Sequence, residues 1–181
     1  MAIHRNTNDL CVESVSECLE SAKLLIDHRK SDGGIMGYAA TLLLMSVVDA
    51  IGHHLNVGSG HTRLEVLNAP QFGLGLTPKQ IYEVKQWYRN QLVHNASIVP
   101  NVYIRAEDQG PIFEFTNSKP TMIRVVQFYK VVQVAWNNLN PTNFEPVKDT
   151  VSAPKYTAPP ASSPADIASM TTYSTPASGV I

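Results

Sequence analysis

The segment "IMGYAATLLLMSVVDAIGHHL", residues 35 to 55, constrains this chain more than any other part of it. Its apolar residues cover most of a helical circumference rather than one stripe, and such a helix is stable in water only when neighbours cover it on several sides. Polar residues interrupt it, and its longest apolar patch, "YAATLLLMSVV", is too short to span a bilayer. The segment therefore predicts the central member of a helical bundle, with no membrane involved, and the rest of the chain must supply the helices that wrap it.

Two other segments have the right period. In "LCVESVSECLESAKLLIDH", residues 10 to 28, Val15, Leu19, Ala22 and Ile26 recur at spacings of four, three and four, which makes one buried stripe ended by Gly33 and Gly34. In "TMIRVVQFYKVVQVAWNNL", Met122, Val125, Tyr129, Val132, Trp136 and Leu139 alternate between spacings of three and four, predicting a last helix over 121–139 that Pro141 stops. A further helix starts at "TPKQ": Thr77 is the N-cap, Pro78 fills the first helical position and Gln80 completes a capping box. It runs towards residue 95 with Ile81, Val84 and Tyr88 inward. Between these helices, residues 56 to 76 read as a long Gly-rich loop holding one short helical turn. "NVYIR" and "IFEFT", on either side of the polar turn "AEDQGP", predict a short β-hairpin.

The expected fold class is mainly all-α: a four- to five-helix bundle over residues 1–144 with a short β-hairpin insertion. Residues 145–181 hold half of the chain's 12 prolines, with Ser, Thr and Ala between them. That composition buries too little apolar surface to offset ordering entropy and predicts a disordered, flexible tail. Cys11 and Cys18 lie seven apart on one helix face, roughly 10 Å along the axis and beyond disulfide reach. They read as reduced core thiols of an intracellular, cytoplasmic protein. A formal net charge of −1 excludes a general basic field for nucleic acid. The glycines of the long loop lack the Gly-Lys-Ser/Thr ending of a phosphate-binding loop.

Chemistry concentrates in "WYRNQLVHN", residues 87 to 95, at the end of the third helix. Asn90 and His94 share a face at i and i+4, and the long Arg89 side chain can reach it. This arrangement resembles the HEPN superfamily, helical-bundle proteins marked by an Arg, a polar residue that is often Asn, and a His four to six residues after the Arg. Here the match is Arg89, Asn90 and His94, followed by Asn95, and the resemblance in helix order covers roughly residues 10 to 140.

The resemblance implies a metal-independent endoribonuclease that leaves a 2′,3′-cyclic phosphate and a 5′-hydroxyl. The residue types suit that reaction: His94 is the acid/base for ribose and leaving oxygens, and Arg89 stabilises the phosphate in its transition state. Asn90 supports the site by orienting His94 or donating to phosphate, with Asn95 beside it. Asp49 is expected on the helix surface, paired with His53 one turn away; the alternative is the supporting polar residue that this superfamily sometimes places on its second helix. One motif brings one His, so the expected assembly is a homodimer with two motifs facing across its axis. Within residues 79 to 105, Lys79, Lys85, Arg89 and Arg105 stand against Glu83 alone, and Lys85 and Arg105 are the candidates for RNA contact.

The expected partners are an RNA substrate and, for a defence, stress-response or toxin-antitoxin protein, an antitoxin or other regulatory protein. The position two residues after the motif His, where some HEPN toxins carry a modifiable Tyr, is Ala96 here, which departs from that route of regulation. Asp49, His53, His54 and His61 do not specify a metal site, because His53 and His54 point about 100° apart on a helix; no metal and no cofactor are expected. The alternative function is a non-catalytic HEPN-like module that binds a nucleotide or a protein and uses the tail as a tether.

Overall fold

The computed structural model describes residues 7–57 and 63–139. These belong to the first of two units into which the chain divides, Met1–Lys148; the second, Asp149–Ile181, and with it the expected flexible tail over 145–181, lies outside the described residues. So does His61.

Helix α1, Thr7–Asp27, buries Val15, Leu19, Ala22 and Ile26, the stripe expected from their spacing, against α2, Gly37–His54. The second helix is central: α1, α5 (Val125–Asn137) and a 3-10 turn at Leu64–Asn68 all pack on it, and its buried residues include Ala40, Leu44, Met45, Val47, Val48 and Ile51. Burial of a Leu or Ile side chain contributes roughly 1.5–3 kcal/mol, so this helix anchors the core. Both cysteines are half-buried rather than deep in the core, and burial raises both thiols above the usual cysteine range. No helix among the described residues is long and apolar enough to cross a membrane.

The third helical segment starts as expected. Thr77 Oγ1 accepts from the Gln80 N–H at 3.2 Å, the Gln80 side chain accepts from the Thr77 N–H at 2.8 Å, and Pro78 opens α3, Pro78–Val84. The helix then widens into a π turn, Lys85–Asn90, before closing as α4, Gln91–Asn95. Val84, Tyr88 and Leu92 are all buried although they are spaced four and four. In a pure α-helix that spacing would drift by about 80° around the axis, and the wider turn takes up the drift.

The expected hairpin is not the one formed. Strands β1 (Tyr103–Arg105) and β2 (Phe113–Thr116) both pair with a third strand, β3 (Lys119–Arg124), in the order β1-β3-β2. β2 and β3 are antiparallel and joined at Asn117 and Ser118, whose φ values of 52° and 68° give the left-handed two-residue turn whose twist suits a hairpin. β1 lies parallel to β3, so "AEDQGP" reverses the chain but sets β2 on the far side of β3 instead of beside β1.

The last helix is correspondingly shorter than 121–139, beginning at Val125 because Thr121 to Arg124 are extended. Met122 and Val125 keep a helical spacing across that boundary, which hides it. Pro120 sits in the middle strand opposite Phe115, beside a bulge at Glu114/Phe115, where a residue without an N–H is tolerated. The fold is mostly α with a small three-stranded sheet.

Candidate functional site

The Arg-Asn pair of the motif occupies the end of the π turn, and π turns inside helices are frequently found at functional sites. Arg89 Nε lies 3.4 Å from Asp49 Oδ2, with the side chains only 26% and 14% exposed. Asp49 therefore pairs with Arg89 on another helix, not with His53 one turn away on its own. Its other oxygen, Oδ1, accepts from the Arg63 backbone N–H at 2.7 Å. That contact needs the chain to pass close to α2, and Gly52 makes room: a Cβ there would stand 2.3 Å from Arg63 Cβ and 2.5 Å from the Arg63 carbonyl oxygen.

The network continues along the π turn. Arg89 Nη1 donates to Asn90 Oδ1 at 3.3 Å, and Asn90 Nδ2 donates to Gln86 Oε1 at 3.1 Å. Asn90 thus steadies Arg89, where the sequence suggested His94 or a phosphate as its partner. Gln86 was missed by the sequence reading, and its only signal is its place four residues before Asn90. Tyr88, fully buried, donates its hydroxyl to the Tyr103 carbonyl at 3.3 Å, tying the motif helix to β1; burial pushes its hydroxyl far above the usual tyrosine range.

His94 and Asn95 form the last turn of α4 and are exposed. Asn95 Nδ2 donates to Gln91 Oε1 at 2.6 Å. The helix ends at Ala96, which adopts the left-handed conformation, φ 50° and ψ 25°. The four cations counted between residues 79 and 105 are distributed. Lys85 lines a cavity of about 280 Å³ with Glu65, Asn68 and Tyr82, and Lys79 lines a different one. Arg105 stands exposed on β1 with its guanidinium 5.4 Å from the centre of the Tyr103 ring.

Neither family models, nor curated proteins, nor solved structures match this chain. Its chemistry is therefore argued from its own geometry. A guanidinium held on two sides by Asp49 and Asn90 keeps its remaining donors for an anion, and an exposed imidazole follows it on the next helical turn.

Proposed function

We propose that this chain is a metal-independent endoribonuclease of the HEPN type, acting in defence, stress response or a toxin-antitoxin system. The observation that carries the reading is the fixed guanidinium: Asp49 and Asn90 hold Arg89 beside the exposed turn bearing His94. Preorganised charge is what stabilises a phosphate transition state, because a donor already in place needs no reorganisation when negative charge develops. In this reading the helices supply a bundle of HEPN type around α2, with the sheet as an addition. His94 exchanges the proton of the 2′-hydroxyl or of the leaving 5′-oxygen. A homodimer brings a second His94 to the same phosphate, giving one acid and one base. Lys85 and Arg105 then lie outside the reacting centre and act on the flanking strand.

One observation favours the rival reading, a non-catalytic HEPN-like module that binds a nucleotide or a protein: among the described residues, His94 has no hydrogen-bond partner to orient its ring. The two are separated by incubating a mixed RNA pool in EDTA with wild type and His94→Ala, each checked for the same fold and oligomeric state. Wild-type cleavage leaving 2′,3′-cyclic phosphate ends, reduced about 10²- to 10⁴-fold by the substitution, supports the enzyme. Wild type that binds RNA or nucleotide without cutting supports the module.

A further inference from the structure

A cavity of about 620 Å³ lies between the motif helix and the β2–β3 hairpin. Trp87, in the π turn between Lys85 and Arg89, packs partly on the core and also lines this groove. Lys79 on α3 and Lys119 on β3 line it as well, with the amides of Asn101 and Asn117 and the hydroxyl-bearing Thr121; no lining residue is acidic. The Lys119 ammonium stands 5.7 Å from the centre of the Trp87 ring. The reacting centre argued above uses none of these side chains.

A groove that combines an aromatic face, two cations and neutral hydrogen-bonding side chains without a carboxylate matches the chemistry of a nucleotide: a base has a π face to stack and a phosphate has charge to neutralise. Lys79 and Trp87 are eight residues apart, roughly 12 Å of helical rise at about 1.5 Å per residue. That exceeds the spacing of about 3.4 Å between stacked nucleotides on one strand, so the groove suits a run of several nucleotides better than one. A duplex hides its base faces and cannot stack on Trp87.

We propose that this groove binds single-stranded RNA, with a base on Trp87 and phosphates at Lys79 and Lys119. The assignment of the strand as RNA rests on the ribonuclease reading; the nucleotide chemistry of the groove does not. Lys119 moves off the ring to a phosphate as the base takes its place.

The test uses the full chain with Trp136→Phe, which leaves Trp87 as the sole tryptophan. Its fluorescence is titrated with 12-nucleotide 2′-O-methyl oligo(A) and oligo(U), which lack the hydroxyl needed for cleavage, and in parallel with AMP and duplex RNA. The single strands are expected to quench Trp87 and the duplex not to. Lys79→Gln with Lys119→Gln is expected to weaken binding at least tenfold and to reduce the slope of log affinity against log salt by about 1.4, at about 0.7 per lost phosphate contact. If Trp136→Phe misfolds, anisotropy of a labelled oligonucleotide on the native chain reads the same lysine effects.

Quenching by AMP alone, binding that the lysine pair does not change, or no binding by a folded chain overturns the proposal. Wild type that cleaves RNA while Trp87 stays unquenched overturns the groove and leaves the ribonuclease standing. Quenching without any cleavage keeps the groove and removes the ribonuclease.

Discussion

Asp49 and Arg89 join the central helix to the motif helix through a mostly buried ion pair, Oδ2 to Nε at 3.4 Å. The carboxylate is shared, because its other oxygen holds the Arg63 backbone N–H. Hydrogen bonds to charged groups contribute about 1.5–3 kcal/mol each. Asp49→Ala is therefore expected to destabilise the protein by about 2–4 kcal/mol, and a double-mutant cycle with Arg89→Ala to show about 1–2 kcal/mol of coupling. Urea unfolding measures both; additive effects would mean that the pair carries no coupling.

Gly52→Ala tests the close passage that makes the Arg63 contact possible. The added methyl would meet the Arg63 backbone oxygen at 2.5 Å, so the chain must move away from α2. Overpacking costs typically 1–3 kcal/mol, and the upper half of that range is expected because backbone cannot rotate aside. Protection of the Arg63 amide from hydrogen exchange should fall with it; unchanged protection would show that the passage is looser than the geometry says.

Ala96 holds a left-handed conformation at the end of the motif helix. For an L-residue this costs roughly 1–2 kcal/mol, whereas Gly adopts it freely at an entropic cost of roughly 0.5–1 kcal/mol. Ala96→Gly should stabilise the protein by about 0.5 kcal/mol, read as a raised midpoint in urea. A lowered midpoint would place the helix end elsewhere.

Alkaline stability should track Tyr88. Its folded-state hydroxyl is raised by burial above the unfolded value near 10, and Tyr129 shifts in the same direction. A group raised in the folded state contributes its stability fully below the unfolded pKa and loses it as pH climbs towards the folded one. Stability is thus expected to hold below about pH 10 and to fall above it. Tyr88→Phe should cost about 1 kcal/mol at pH 7 through the lost bond to Tyr103 and flatten the alkaline fall. An equally steep fall in Tyr88→Phe would assign it to other groups.

Helices were legible in the sequence because their cores repeat at fixed spacing: Val15, Leu19, Ala22 and Ile26 are buried as read, and Thr77, Pro78 and Gln80 cap as read. Strand pairing was not, because β1 and β2 are each too short to carry a register and the partner of both, β3, continues the helical spacing of α5. At the candidate site, residue types showed where polarity gathers but not which groups meet. Asp49 finds Arg89 through the packing of two helices, a long-range contact that no local spacing encodes. Trp87 and Lys119 come together only because the hairpin folds beside the π turn.

That π turn also sets how changes of chain length would be felt. A one-residue deletion within Lys85–Asn90 would turn the wide turn into ordinary α-helix, leaving seven steps between Val84 and Leu92 and keeping both within about 20° of one face. The same deletion in the loop at 106–112 would shorten a connection and re-index nothing. Changes of length in this chain are thus graded by position, and within the motif helix the π turn is where the loss of one residue is absorbed.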